Sequence, residues 1–135
     1  MIKKIFLIPL LATAVGLSAC STRQIAPAST LIVNPQVQDQ AIANNIASTV
    51  QSMARHGWVV QKIESNRVVA SFNHGARYLQ VTYLIQQHQV SSKITDSQYL
   101  SQRGDKIHRK ALKWKAGLDR RVFQRLASLN LSSNK

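Results

Sequence analysis

The chain has 135 residues, and its 18 lysines and arginines against 5 aspartates and glutamates give a formal charge of +13. Hydrophobic residues make up 44% of the chain, which is typical of a folded domain and too many for a disordered one. The length favours one small domain, and the single cysteine excludes an internal disulfide framework and a cysteine-based zinc site.

Residues 1–19 have the pattern of an export signal. Lys3 and Lys4 precede the uncharged apolar run 5–17. This run is too short for a membrane-spanning helix, which needs about 20 residues. The residues at its end, Leu17-Ser18-Ala19-Cys20, resemble the lipobox of bacterial lipoproteins.

The lipobox resemblance implies that the signal is cleaved before Cys20 and that this cysteine carries two or three acyl chains. More than one chain is needed for stable anchoring, so the protein would be held to a membrane of the bacterial cell envelope. Ser21 stands where inner-membrane sorting would require aspartate, which implies the outer membrane with the domain facing the periplasm. An ordinary signal cleaved after Gly16 is the alternative.

Residues 20–37 are predicted to be the lipidated cysteine and a flexible tether. The segment contains two prolines and several serines and threonines, but it has no hydrophobic period. Residues 31–33 are its one part expected to dock, as a short edge strand. A single domain is predicted over residues 38–130, followed by a disordered tail over 131–135.

The first element of the domain is a predicted amphipathic helix over residues 37–56. Its apolar positions Ile42, Ile46, Val50 and Met53 are spaced by 4, 4 and 3 residues, which indicates one buried helical face. Gly57 follows directly and is a typical helix stop.

Three or four β-strands are predicted next, over residues 58–63, 68–72, 78–85 and 90–95. The third strand alternates, with its apolar residues on one face: Leu79, Val81, Tyr83 and Ile85. The fourth is short and polar, so we expect it at a sheet edge. Short turns between the strands predict an antiparallel meander.

A second helix is predicted over residues 106–129. Its apolar stripe recurs at helical spacing: Ile107, Ala111, Trp114, Leu118, Val122, Leu126 and Leu129. Gly117 in its middle indicates either a close approach to the sheet or a break into two helices. The element order predicts an α+β fold, a two-layer sandwich in which an N-terminal and a C-terminal helix cover one face of the meander.

No residue pattern indicates catalysis, a cofactor or a metal. The five acidic residues are scattered, and no two histidines share a helix face. Asp96, Ser97 and His108 contain the residue types of a hydrolytic triad, but Asp96 and Ser97 are more typical of a turn cap. We therefore predict a protein that is not an enzyme.

The one feature that indicates a possible binding function is a basic cluster between Arg103 and Arg125, with nine basic and two acidic residues. Five of the cations lie largely opposite the apolar stripe: Lys106, Arg109, Lys110, Lys113 and Arg120. They suit an anionic partner, such as lipid head groups, lipopolysaccharide phosphates, a cell-wall polymer or an acidic protein. A solvated face is the alternative. Nucleic acid is disfavoured, because the anchor lies outside the cytoplasm and the face lacks exposed aromatic residues for stacking.

Short motifs along residues 42–126 resemble a family of small proteobacterial lipoproteins with a compact α+β domain. They are Gly57-Trp58, Val69-Ala70, Tyr78-x-x-Val81-x-Tyr83, Asp96-Ser97 with Leu100, Ile107-His108 and Trp114. The family usually has Tyr-Asn shortly before this last tryptophan, where the present chain has Ala111-Leu112. The resemblance implies the fold and the location and carries no activity.

The same resemblance raises the hypothesis that several motif residues line one surface: Gly57, Trp58, Tyr83, Ser97, His108 and Trp114. The alternative is that they are a turn, core aromatic residues and a helix cap.

The function expected from the sequence is that of an envelope lipoprotein, a non-enzymatic accessory or structural binding module whose basic helix faces an anionic partner. The alternative is a periplasm-facing subunit of a larger secretion or assembly complex. In that case, residues 90–94 at the predicted sheet edge would hold the protein partner.

Overall fold

The structure is a computed structural model that describes residues 21–132. Its strands are β1 (Thr22–Gln24), β2 (Ser29–Ile32), β3 (Trp58–Glu64), β4 (Arg67–His74), β5 (Arg77–Gln86), β6 (Gln89–Gln98) and β7 (Lys106–His108). The helices are α1 (Asp39–Ser52) and α2 (Arg109–Ser132), and a 3₁₀ turn, Ala54–His56, follows α1. The predicted α+β class, with helices near both ends of the domain, is confirmed.

The strands form two antiparallel sheets. The larger has the order β2-β6-β5-β4-β3, and the smaller pairs β1 with β7. The strands from β3 to β6 are the predicted meander, joined by tight turns. Alternation in β5 is confirmed, because Leu79, Val81, Tyr83 and Ile85 are all buried.

Both helices contribute to one core with the sheet. In α1 the predicted face is buried through Ile42, Ile46 and Val50. In α2 the buried positions are Ala111, Leu118, Val122 and Leu126, whereas Trp114 and Leu129 are only half-buried at the margin of the core. No helix in the described part of the chain is long and apolar enough to cross a membrane.

The predicted tether is largely folded, which corrects the sequence analysis. β1 and β2 both lie within residues 20–37, and Val33 directly after β2 is fully buried. β2 pairs with β6, with Leu31 opposite Val90. The reason is that an uncovered β6 would leave a row of unpaired backbone groups. Residues 31–33 were expected to dock, and β2 is the docked strand, one or two residues earlier.

The pairing with β2 also corrects the position of the sheet edge. Residues 90–92 of the ten-residue strand β6 are paired with β5 on one side and β2 on the other, so they cannot receive a further strand, whereas residues 93 and 94 extend past the register of β2. The two edge strands of the larger sheet are β2 and β3, and β3 is the edge strand that belongs to the meander.

The second helix differs from its prediction at both ends. It begins at Arg109, because Lys106–His108 is β7, and it continues to Ser132, into the predicted tail. Gly117 neither breaks the helix nor approaches the sheet, since a Cβ atom there would meet no heavy atom of another element within 4 Å. Residues 1–20, which include Cys20, and residues 133–135 lie outside the described residues.

Replacing Gly117 by alanine is expected to stabilise the domain by about 1 kcal/mol, the cost of glycine in a helix interior relative to alanine. The measurement is urea unfolding followed by circular dichroism. Gly57→Ala is the contrasting variant, because Gly57 has φ +101° and a Cβ there would lie 3.1 Å from Phe72 Cε2. It should lower the free energy of unfolding, and loss of stability in Gly117→Ala as well would contradict a continuous helix.

Candidate functional site

Four of the five predicted binding cations meet at one end of the domain. Lys106 lies in β7, and Arg109, Lys110 and Lys113 lie in the first turns of α2 that follow it. All four are exposed, and the three helical cations line a common surface cavity. We call these four residues the basic end.

Arg120 is exposed, as predicted, but it does not belong to the basic end. It follows Arg109 by 11 residues, which is about 16 Å along a helix axis. There it borders a different cavity, beside β6. The five cations expected to act together are therefore divided between two places.

His108 lies near the cations of the basic end, and its pKa responds to them. Desolvation lowers its pKa below the ordinary value, and the cations Arg77, Lys110 and Arg109 lower it further. The imidazole Nδ1 accepts a hydrogen bond from the Lys110 backbone N–H at 3.1 Å, which requires this nitrogen to be unprotonated. The neutral ring thus caps the start of α2.

The start of the described chain is fastened to the basic end. The Arg109 backbone N–H donates to the Ser21 carbonyl oxygen at 3.0 Å. Directly beyond Ser21, β1 pairs with β7, with Thr22 opposite His108. Gln24 Nε2 donates to Asp105 Oδ2 at 3.1 Å, and the Ile25 N–H donates to the Asp105 carbonyl at 2.6 Å. The segment after Cys20 is therefore held by backbone and side-chain bonds.

A buried polar network joins α2 to the sheet. Asp119 Oδ1 accepts hydrogen bonds from Tyr83 Oη at 2.7 Å and from Ser92 Oγ at 2.6 Å. Its Oδ2 lies 2.6 Å from Lys115 Nζ, and the two side chains are only 10% and 12% exposed. Burial, and then the Asp119 carboxylate, raise the pKa of Tyr83 well above its usual value, so the phenol keeps the proton that it donates.

Asp119 is a site residue that was not predicted from the sequence, because the five acidic residues are scattered along the chain. In the structure Asp119 lies in the middle of α2. A signal was present: Leu112, Asp119 and Leu126 are spaced by seven residues. This is two helical turns, so Asp119 lies in an apolar column, and its partner Lys115 is four residues earlier.

The network opens into a cleft between the β1–β2 connection, β6 and α2. We use cleft for this cavity of about 370 Å³. Ser92, Lys115 and Asp119 reach it from the network, while Lys93 and Arg120 border it as exposed cations. The walls are mostly apolar, which with a few convergent polar groups is the usual make-up of a small-molecule site.

The remaining motif residues do not form a common surface. Trp58 and Tyr83 are buried in the core, so the hypothesis of a shared surface is wrong for both. Trp114 packs at the margin, with its ring 4.6 Å from the Phe72 ring and 5.7 Å from the His74 ring.

The side chains of Asp96, Ser97 and His108 are not hydrogen-bonded to one another in the order that a hydrolytic triad requires. Asp96 Oδ1 accepts from the Ser97 backbone N–H at 2.8 Å, as expected for a cap, and Ser97 Oγ donates to Gln102 Oε1. His108 Nδ1 is occupied by Lys110, as described above. Among residues 21–132, no group of three or more histidine, cysteine, aspartate or glutamate side chains is placed to hold a metal ion.

Comparison with known proteins found no matching family model, no similar curated protein and no similar solved structure. The resemblance to small proteobacterial lipoproteins therefore stays a prediction. The geometry of the site therefore carries the argument: the basic end lies at the start of α2, and the cleft is a separate cavity that borders the same helix.

Asp119→Ala is expected to lower the free energy of unfolding by about 3–5 kcal/mol, because it leaves a buried ammonium group and two hydroxyl donors without their acceptor. The measurement is urea unfolding at neutral pH. Asp96→Ala is the matched control, since this exposed acid makes one bond to a neighbouring backbone N–H. It should cost about 0.5–1.5 kcal/mol, and equal losses in the two variants would contradict the importance of the network.

Proposed function

We propose that this protein is a lipid-anchored bacterial envelope protein that acts as a non-enzymatic accessory binding module, with its basic end lying against an anionic surface. The observation that carries the proposal is the hydrogen bond between the Arg109 N–H and the Ser21 carbonyl oxygen. It brings the residue next to the predicted lipidation site into contact with the first residue of the basic helix.

A lipid on Cys20 would begin within one residue of that bond. Consecutive Cα atoms are about 3.8 Å apart, and Ser21 is the only residue between Cys20 and β1. Because Thr22 lies opposite His108 and the Ser21 carbonyl is bonded to Arg109, the acyl chains would enter the membrane beside His108 and Arg109. The domain would then be held close to the bilayer, in contrast to a domain on a long flexible tether.

The charges favour one orientation of the held domain. Each lysine or arginine near an anionic membrane surface contributes about 1 kcal/mol. The four cations of the basic end are exposed, so together they offset the cost of restricting the domain's rotation. We propose the outer membrane, facing the periplasm, as the location, with phospholipid head groups as the surface and Ser21 as the sorting residue.

The test uses the full lipidated protein in phospholipid nanodiscs. We expect amides of β1, β7 and the first turn of α2 to exchange more slowly on discs with phosphatidylglycerol than on discs of phosphatidylcholine alone. Replacing Arg109, Lys110 and Lys113 by glutamine should remove that difference, since about 3 kcal/mol of attraction is lost. The pKa of His108 should rise on the anionic discs, because anionic head groups offset the nearby cations.

The matched control replaces Lys62, Arg121 and Arg125 by glutamine, which changes the net charge equally away from the basic end. It should retain the protection. The orientation would be contradicted if both triple variants lost the slower amide exchange equally. It would also be contradicted if amide exchange were equally slow on anionic and on neutral discs. Mass spectrometry of the mature wild-type protein beside Cys20→Ala tests the anchor, and an unacylated wild-type protein would overturn it.

A second candidate function is that of a periplasm-facing subunit of a larger envelope complex, and the free edge strand β3 favours it. In the described chain β3 pairs only with β4, and it exposes 50% of Val59 and 45% of Ile63. Edge strands accept partner strands by backbone hydrogen bonding. The bulge between Val60 and Lys62 limits this pairing to part of the strand.

This candidate predicts a specific protein adduct when a photo-reactive amino acid replaces Val59 in living cells. The control position is Gln51, which is exposed on α1. Val59→Lys should reduce the adduct formed from a second probe at Ile63. Equal labelling from Gln51 and Val59, or no adduct at Val59, would contradict a partner at β3.

A further inference from the structure

We propose that the cleft is a binding site for a small anionic amphiphile, a single aliphatic chain that ends in a carboxylate. The site is separate from the basic end and does not depend on the membrane contact proposed above. Three observations carry it: the apolar walls, the unpaired cations at the border and the closed ion pair on the floor.

The walls of the cleft suit a hydrocarbon chain. They are lined by Ile25 from the β1–β2 connection, Ile94 from β6, and Leu112 and Ala116 from α2. Ile25, Ile94 and Leu112 are half-buried and pack against the core. Covering such side chains with a ligand removes further apolar area from water, at about 25 cal/mol per Å².

The floor of the cleft is electrically balanced. Lys115 and Asp119 neutralise each other, and Asp119 Oδ1 is already bonded to Tyr83 and Ser92. A cationic ligand would have to compete with the lysine for this carboxylate. The floor therefore carries no net charge, and the side chains at the border determine which ligand charge the cleft prefers.

The border is positive. Lys93 and Arg120 both line the cleft and are exposed, and within residues 21–132 neither side chain has a hydrogen-bond or ion-pair partner. Such cations select an anionic head group, and the planar guanidinium of arginine matches the two oxygens of a carboxylate. A chain along the apolar walls would bring its carboxylate to Arg120 or Lys93.

The size of the cleft selects one chain. Its volume of about 370 Å³ is at the lower end of the range of roughly 300–1,000 Å³ for ligand sites. A two-chain lipid exceeds this space, whereas a medium-length fatty acid fits. The hydrogen bond from the Ile25 N–H to the Asp105 carbonyl fixes the backbone position of the wall that Ile25 forms.

The experiment titrates the mature chain, residues 20–135 with Cys20→Ser, which contains every residue of the described fold. The probes are octanoate and, as its charge-reversed counterpart, octyltrimethylammonium, both below micelle formation. Binding is followed by the ¹H–¹⁵N shifts of the protein in NMR. We expect octanoate to shift amides of Ile25, Ile94, Leu112 and Ala116, and octyltrimethylammonium to leave them in place.

Arg120→Gln should weaken octanoate binding about tenfold, the usual effect of losing one charge-assisted hydrogen bond. Arg121→Gln is the matched control, because Arg121 is exposed on the same helix and does not line the cleft. It should bind octanoate as the wild type does. Ala116→Phe, which fills the cleft, should abolish the shifts.

Three results would overturn the proposal. They are equal weakening by Arg120→Gln and Arg121→Gln, equal binding of the two probes, and octanoate shifts confined to residues outside the cleft. The two arginine variants change only exposed side chains, so the comparison holds even if Ala116→Phe fails to fold. None of these readouts involves a membrane, so failure here leaves the membrane proposal standing.

Discussion

Pairing of the first described residues with β7 is the constraint on which the other functional features depend. The bonds from Arg109 to Ser21 and from Gln24 to Asp105 hold residues 21–24 against β7 and the start of α2. The same segment continues as a wall of the cleft and then as β2, which covers β6. An element that composition assigns to a linker thus determines where an anchor would emerge, shapes a cavity and protects a sheet edge.

Asp119 provides the second constraint, because it fixes the rotation of α2 about its own axis. A helix held only by apolar contacts can adjust by small rotations, whereas a carboxylate bonded to Tyr83 on β5 and Ser92 on β6 has one position. With that rotation fixed, Arg109 and Lys113 point towards solvent at one end, and Arg120 stands beside the cleft further along. One buried acid therefore organises the exposed cations of the helix.

The local spacing of apolar residues made most of the helices and strands predictable. The elements that the sequence did not predict depend on pairing between residues far apart in the chain. The face of α1 and the alternation in β5 are visible in the spacing of residues such as Ile42, Ile46 and Tyr83, because burial of one face dictates them. β1 has three residues and no alternation, and its partner β7 is equally short, so neither carries a pattern of its own. The basic end was predictable from charge, but the cleft was not, because it joins Ile25 to Arg120 across most of the chain.

The link between Gln24 and Asp105 spans 81 residues, and this has a consequence for how the domain is completed. Contacts so distant along the chain form late, because the entropy of closing the loop opposes them until other parts are in position. In a chain that emerges N-terminus first, β1 has no partner until β7 has followed it. The β1 segment thus stays exposed during most of assembly, and the final pairing step withdraws it into the smaller sheet.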